Sequence, residues 1–297
     1  MDQFHQHTIR QQRADGSIKI RELTIPSEEL KQEHRDMLHV LYDLDIPMPY
    51  ATGGLPGKQL LHNVYPHINN DHFYMTDLTD AFGQVDTIEL IDRARYALKS
   101  MGRPHNIIDW DQQIADIVEF IADKTSTDQA PGLPLGAPAS PFLFNLYCKP
   151  MDDYLGPWCE ERGITYTRYL DDLTFSAASP IGKKRRQQIR DIISVGGIPI
   201  NHAKTKVHSL AKGPVTITGI SLYPDRRIGP NPALMEKIKL AFREIGSLVT
   251  NGQLLYEEEE GRLHGYYGSL VQMSSTTTPT GHSLRAEYQA IIRLLEQ

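Results

Sequence analysis

Two apolar, β-rich runs separated by a pair of aspartates constrain this chain more than any other feature. The runs are residues 164–170 and 173–177, and Asp171 and Asp172 lie where they meet. Short apolar runs joined by polar residues are typical of a β-hairpin, which places both carboxylates at the turn. A turn requires only one aspartate, and adjacent carboxylates repel each other. The pair therefore indicates a chemical role, although an isolated Asp-Asp would be interpreted as turn chemistry alone.

A third aspartate, Asp77, follows the apolar run 73–76. Carboxylates at strand ends can project from one edge of a sheet, so Asp77, Asp171 and Asp172 form a candidate metal site. Magnesium prefers oxygen ligands and usually combines few protein carboxylates with substrate phosphates. Two such ions, about 4 Å apart, activate an attacking hydroxyl and stabilise the leaving oxygen in phosphoryl transfer. The aspartates therefore predict a pair of Mg²⁺ ions, with Mn²⁺ as a substitute.

Bulk composition indicates an ordinary globular protein. The 297 residues permit one large domain or two modest ones, and 40% of them are hydrophobic. No apolar run approaches the roughly 20 residues of a membrane span, and the polar N-terminus is unlike a secretory signal. Cys148 and Cys159 lack the partners of a zinc site. We therefore expect free thiols, a cytoplasmic protein and no membrane partner.

The net charge of −6 is unusual for a protein that binds nucleic acid. The basic residues are clustered, however, and each cluster could contact a phosphate backbone. For any one cluster taken alone, a solvated face is the better interpretation. The clusters comprise Arg10, Arg13, Lys19, Arg21, residues 183–186, Lys204, Lys206, Lys237, Lys239 and Arg243.

Hydrophobic periodicity and capping residues predict mixed strands and helices, followed by helices alone. The predicted strands cover residues 17–23, 73–78, 164–170 and 173–177, with short strands around Ile198, Val207, 215–220 and Ile228. The predicted helices cover residues 27–41, 62–68, 87–98, 111–124, 140–154, 182–193, 232–250, 254–273 and 282–296. Ser27 is expected to open the first helix, Thr87 and Ser140 are expected to be N-caps, and Pro150 is expected to kink its helix. The change to helices alone predicts a domain boundary near Gly229.

Three motifs resemble those of reverse transcriptases and occur in the family's order. Residues 73–82 (FYMTDLTDAF) resemble the first palm motif, and residues 169–172 (YLDD) resemble the signature tetrapeptide. The stretch LPLGAPASP at 133–141, followed by Asn145, resembles the loop and helix between them. Further elements resemble the bacterial retron and group II intron-like branch, namely NVYPH at 63–67, NHAKT at 201–205, VTITG at 215–219 and GRLHGYY at 261–267.

The resemblance implies both a fold and a reaction. The fold is an α+β right-hand polymerase, with fingers and an antiparallel palm sheet in residues 1–229 and a helical thumb in residues 230–297. The reaction is RNA-directed DNA synthesis, in which a primer 3′-hydroxyl attacks a deoxynucleotide and releases pyrophosphate. The implied partners are deoxynucleotides, an RNA template and primer, an RNA–DNA hybrid and, in retron-like antiphage defence, an effector protein.

The resemblance also implies roles in catalysis. Asp77 and Asp171 would be the principal metal ligands, with Asp172 close by. Lys204 would protonate the leaving pyrophosphate. Lys206 is a competing candidate, and a surface lysine is the plainer interpretation of either.

Other implied roles concern substrate contacts. Phe82, five residues after Asp77, would exclude a ribose 2′-hydroxyl, although a core aromatic is the commoner use of phenylalanine. The remaining nucleotide-binding residues would be Lys19, Arg21, Leu78, Leu135, Gly136 and Ala137. The nucleic-acid contacts would be Asn63, His67, Pro138, Ser140 and Tyr169. For Asn63 and His67, a helix cap or a core histidine remains an alternative.

Leu135 departs from the family pattern. Most members have glutamine there, which hydrogen-bonds near the nucleotide sugar, and leucine cannot do so. We therefore expect unusual fidelity, processivity or substrate choice. Two alternative functions stay open: template-independent or protein-primed DNA synthesis of the abortive-infection type, and a catalytically silent RNA-binding scaffold. The three intact aspartates argue against the scaffold.

Overall fold

The computed structural model describes residues 4–12, 18–99, 101, 132–273 and 279–295. Its strands are β1 (Phe4–Gln12), β2 (Ile18–Pro26), β3 (His72–Asp77), β4 (Thr165–Tyr169), β5 (Asp172–Ala177), β6 (Lys206–Ser209), β7 (Val215–Ile217), β8 (Ile220–Leu222) and β9 (Ile228–Pro230). Its α-helices are α1 (Glu28–Asp43), α2 (Leu60–Val64), α3 (Thr87–Lys99), α4 (Ser140–Glu160), α5 (Lys183–Val195), α6 (Pro232–Thr250), α7 (Glu257–Met273) and α8 (Pro279–Leu295). Helices and antiparallel sheets together confirm the predicted α+β class.

The first two strands form a long antiparallel ribbon, in which Phe4 pairs with Pro26 and Gln12 pairs with Ile18. The strand predicted at 17–23 is confirmed by β2. It ends at Pro26, because proline cannot donate a ladder hydrogen bond. The sequence does not predict β1, whose residues are mostly polar and lack a clear alternation.

Side-chain caps define where two helices begin. Ser27 caps α1 as predicted, since its hydroxyl oxygen accepts a hydrogen bond from the Leu30 amide at 3.2 Å. The predicted cap of α3 at Thr87 is wrong by one residue. Asp86 is the cap, because its Oδ1 accepts a hydrogen bond from the Glu89 amide at 2.9 Å.

Helix α4 also differs from its prediction. Ser140 is its first helical residue and not its cap, and the Ser140 hydroxyl donates to the Pro134 carbonyl at 2.8 Å. The helix continues well past the predicted end near Tyr154, with Pro150 and Pro157 inside it. Most residues of α4 are buried, so tertiary packing offsets the backbone hydrogen bonds that proline removes.

Two further predicted elements are not found as predicted among the described residues. The strand predicted around Ile198 is reduced to a single antiparallel bridge between Ile200 and Leu78. The helix predicted at 111–124 lies outside the described residues. No helix in the described part of the chain combines the length and apolar character that a membrane span requires.

Four strands form the sheet that carries the candidate metal ligands, in the order β4-β5-β3-β6. Residues 170 and 171 connect β4 to β5 in a two-residue turn, which confirms the predicted hairpin. The Leu78 amide donates to the Asp171 carbonyl at 3.0 Å, so the end of β3 lies beside this turn. The sheet therefore brings Asp77 next to the Asp-Asp pair.

The chain divides into two compact units. The first comprises Met1–Lys58, Met75–Leu173 and Gly182–Thr205, and the second comprises Gln59–Tyr74, Thr174–Ile181 and Lys206–Gln297. In the second unit, α6, α7 and α8 pack around an apolar core formed by Ile238, Phe242, Ile245, Val249, Leu263, Leu270, Leu284 and Ile291. The predicted helical run after residue 230 is confirmed, whereas the domain boundary near Gly229 stays a prediction.

Candidate active site

Three aspartates lie together where β3 ends and the β4–β5 hairpin turns. Asp77 is the last residue of β3 and is 6% exposed, Asp171 lies in the turn, and Asp172 begins β5. Burial, followed by the negative charges of Asp171 and Asp77, raises the pKa of Asp172 to about 6. The carboxylates therefore lie close enough to repel one another, and the site favours a positive charge.

Lys204 supplies one such charge. Its Nζ donates to Oδ1 and Oδ2 of Asp77 at 2.8 and 2.7 Å, while its side chain is 49% exposed. A short 3₁₀ turn positions Lys204, and Asn201 caps this turn by accepting a hydrogen bond from the Lys204 amide at 3.3 Å. Of the two candidate lysines, Lys204 is thus the one that contacts Asp77, and Lys206 is exposed on β6. Proton donation by Lys204 to pyrophosphate stays a prediction.

The donor set fits a hard divalent cation, since Asp77, Asp171 and Asp172 all offer carboxylate oxygens. Among the residues that the structure describes, no group of three or more His, Cys, Asp or Glu side chains is already arranged to hold a metal ion. The ammonium of Lys204 contacts both oxygens of Asp77. Lys204 and a metal ion would therefore compete for the same carboxylate.

The turn that presents the carboxylates has an unusual backbone. Leu170 has a φ of +54°, a left-handed conformation that costs a non-glycine residue about 1 kcal/mol. Arg168 Nη1 donates to the Leu170 carbonyl at 3.1 Å. The Tyr169 ring packs against Gly53 so closely that a Cβ at Gly53 would lie 2.9 Å from Tyr169 Cγ. The sequence does not single out Arg168, because one arginine in a strand is interpreted as a solvated cation.

Phe82 lies against the loop 132–139. Its carbonyl accepts a hydrogen bond from the Leu133 amide at 2.8 Å, and its ring stacks on Phe144 with centroids 4.9 Å apart. The side chain is half-buried, so it both packs and remains partly accessible. The packing supports the core alternative, and a contact with the nucleotide sugar stays a prediction.

The same loop is joined to β2. The Leu135 carbonyl accepts a hydrogen bond from the Thr24 amide at 2.9 Å, and the Leu135 residue is 41% exposed. Gly136 has a φ of +114°, a backbone region that favours glycine. The other predicted loop contacts are buried or half-buried, namely Ala137, Pro138 and Ser140. An exposed leucine at this point offers an apolar surface where the family pattern has an amide.

Three further predicted nucleotide contacts lie in the first compact unit. Lys19 and Arg21 are on β2, paired with Gln11 and Ile9, and their side chains lie outside the described part of the structure. Leu78 directly follows Asp77 and is buried. Their contacts with a nucleotide stay predictions.

Asn63 and His67 lie in the second unit, and both are fully buried. Asn63 Nδ2 donates to Thr218 Oγ1 at 3.3 Å, and His67 Nδ1 lies 2.6 Å from Ser176 Oγ. Burial lowers the pKa of His67 to about 3, so the ring is neutral. These contacts support the structural alternative that the sequence left open, and a contact with RNA stays a prediction.

The fold is that of the right-hand nucleic-acid polymerases. Telomerase from Candida tropicalis, in its apo form, superposes with a TM-score of 0.54 at 11% identity, over 98% of this chain and 56% of that one. Telomerase from Candida albicans, in complex with a TWJ fragment of telomeric RNA, gives a TM-score of 0.51 at 11% identity, over 98% of this chain and 56% of that one. Such low identity shows the fold alone.

The chain belongs to the family described as reverse transcriptase (RNA-dependent DNA polymerase), whose pattern matches residues 12–222. Retron Ec86 reverse transcriptase of Escherichia coli is 30% identical over 209 residues, which cover 70% of this chain and 60% of the relative. Retron Mx162 reverse transcriptase of Myxococcus xanthus is 29% identical over 212 residues, which cover 65% of this chain and 42% of the relative. The chain thus spans about half the length of the curated relatives it matches, and the predicted resemblance is confirmed.

Acid should destabilise the protein through His67. Its folded-state pKa lies below the ordinary value of 6.5, so the unfolded chain takes up the proton more readily. The stabilisation from neutral His67 is complete above the unfolded-state pKa and is lost as pH falls towards the folded-state pKa. Between about pH 7 and about pH 5, we expect this residue to account for a loss on the order of 2 kcal/mol in the free energy of unfolding.

Denaturant titrations across this pH range measure that loss. The His67→Gln variant should lose less stability than the parent on acidification, whereas the exposed His39 offers a matched control, and His39→Gln should follow the parent. Equal pH dependence in the parent and His67→Gln would show that His67 does not cause the loss of stability.

Proposed function

We propose that this protein is an RNA-directed DNA polymerase that extends a primer 3′-hydroxyl with deoxynucleotides. One observation carries the proposal: Asp77, Asp171 and Asp172 lie together at one end of the four-stranded sheet, in a member of the reverse transcriptase family. Phosphoryl transfer asks a protein chiefly for positioning and charge stabilisation. A cluster of carboxylates that favours a positive charge is suited to this chemistry.

In this proposal, Asp77 and Asp171 would hold two Mg²⁺ ions, with Asp172 beside them and Mn²⁺ as a substitute. When bound, such ions activate the attacking hydroxyl and stabilise the leaving oxygen. The chain itself fixes the backbone of one of these residues, because the Asn201 amide donates to the backbone carbonyl of Asp77 at 2.7 Å. Once released from Asp77, Lys204 becomes available as the cation that donates a proton to pyrophosphate.

We infer that the template is a dedicated partner RNA and that an RNA–DNA hybrid is the product. The support is that the matched relatives are named as retron reverse transcriptases. In this proposal the RNA would supply both primer and template, and an effector protein would act with the enzyme in antiphage defence. Residues 230–297 would then be the thumb. Sequencing the nucleic acid that copurifies with the protein tests this inference: branched DNA joined to RNA supports it, and its absence contradicts it.

Replacing the hairpin carboxylates should abolish synthesis. In the Asp171→Asn variant, we expect incorporation of deoxynucleotides on a primed RNA to fall on the order of a thousandfold, since losing a metal ligand costs several kcal/mol of charge stabilisation. In the Asp172→Asn variant, incorporation should fall by a smaller factor. The measurement is primer extension with Mg²⁺, with and without the RNA template.

Asp80 provides the matched control, because it is an exposed aspartate in the same motif. Asp80→Asn should retain activity. Full activity in Asp171→Asn would contradict the catalytic assignment. Incorporation by the parent that ignores the template would favour the template-independent alternative over the proposed reaction.

Phe82 should determine the choice of sugar. Replacing it with valine removes the ring that would exclude a 2′-hydroxyl, so the preference for deoxynucleotides over ribonucleotides should fall about ten- to a hundredfold. The Phe82→Tyr variant keeps the ring and should keep the preference. Steady-state kcat/KM for each nucleotide measures both, and an unchanged preference in an active Phe82→Val variant would exclude this role.

A further inference from the structure

Arg168 places its guanidinium completely in the interior of the first unit. It lies on β4, one residue before Tyr169, and its surface is 0% exposed. Its Nη2 donates to Asp152 Oδ2 at 2.6 Å, and its Nε lies 3.1 Å from both oxygens of Asp152. A buried charge is tolerated only when it is paired and hydrogen-bonded, and this bidentate pair meets that requirement.

The partners of Arg168 are themselves fixed. Tyr166 donates its hydroxyl to Asp152 Oδ1 at 2.7 Å. Asn145 Oδ1 accepts a hydrogen bond from Arg168 Nη1 at 2.9 Å, and Asn145 Nδ2 donates to the Gly53 carbonyl at 2.8 Å. The guanidinium plane is therefore held from α4, from β4 and from the loop that precedes α2.

Nη1 has a second acceptor, and this contact reaches the active site. Nη1 also donates to the carbonyl of Leu170 at 3.1 Å. Leu170 is the first residue of the hairpin turn. Leu170 has a φ of +54°, and two-residue hairpins usually place glycine where such a conformation is required. The carbonyl of Leu170 belongs to the peptide that leads into Asp171. Fixing its direction therefore fixes the direction in which the chain enters the carboxylate pair.

We propose that Arg168 is a positioning residue for catalysis, which holds Leu170 in its left-handed conformation so that Asp171 and Asp172 are presented together with Asp77. The proposal rests on the proposed polymerase function for its catalytic consequence. Asp152, Asn145 and Tyr166 orient the guanidinium fork. Lysine cannot replace it, because a single ammonium lacks the planar set of donors that serves Asp152 and Leu170 at once.

A crystal structure of the Arg168→Lys variant tests the geometry directly. We expect Leu170 to leave the left-handed region and the turn to rearrange. Arg93→Lys is the matched control, because Arg93 is also paired with an acid, Glu89, and donates to the Tyr147 carbonyl without contacting the hairpin. An unchanged φ at Leu170 in Arg168→Lys would overturn the proposal.

Kinetics test the consequence. Residues that orient metal ligands typically change activity about 10- to 100-fold when replaced, so kcat of Arg168→Lys should fall by that factor while KM for the deoxynucleotide changes little. Glycine adopts the left-handed region without steric cost. In a Leu170→Gly background, the same Arg168→Lys change should therefore lower kcat by less than about threefold. An equal loss in both backgrounds would indicate a purely structural role and would overturn the proposal.

Thermal unfolding of each variant shows whether activity is compared between folded proteins. Where Arg168→Lys does not fold, Arg168→Gln combined with Asp152→Asn removes both buried charges together and still removes the fork. We expect this double variant to show the same change in kcat and the same rearrangement at Leu170. If the parent itself lacks polymerase activity, the proposed function fails, whereas the crystal structures still decide whether Arg168 holds the turn.

Discussion

Placing a guanidinium and a carboxylate in a protein interior costs several kcal/mol of lost hydration per ion, and Arg168 and Asp152 offset it through short hydrogen bonds. A hydrophobic pair of similar volume would serve stability as well. Apolar side chains, however, cannot donate a hydrogen bond, whereas the guanidinium of Arg168 donates one to the Leu170 carbonyl in the hairpin turn. The position of the carboxylate pair, and with it the candidate metal site, depends on this interaction.

Charge balance is the second constraint on the site. Three carboxylates lie together, and the raised pKa of Asp172 reflects both burial and its neighbours. Lys204 offsets part of the negative charge through its ion pair with Asp77. The lysine side chain is half exposed, so it can exchange this partner for another anion without a large rearrangement. Lys204 therefore neutralises Asp77 while its own side chain stays accessible to solvent.

The sequence predicts those helices and strands whose formation depends on residues close to one another in the chain. Alternation in residues 17–23, apolar runs on either side of Asp171, and capping by Ser27 all depend on neighbouring residues, and all are confirmed. Features that depend on contacts between distant parts of the chain are not predicted in three cases. The polar strand β1 forms because β2 pairs with it, and α4 continues through two prolines because it is buried. Arg168 is missed for the same reason, since its partners lie in other elements of the fold.

Anomalous diffraction from crystals that contain Mn²⁺, a primed RNA and a non-reactive deoxynucleotide shows whether these aspartates hold the metal, since manganese can stand in for magnesium. We expect two manganese peaks bound by Asp77 and Asp171, with Leu170 still left-handed and Lys204 no longer paired with Asp77. Nucleotide bound without manganese at these aspartates, or with Lys204 still on Asp77, would contradict this expectation.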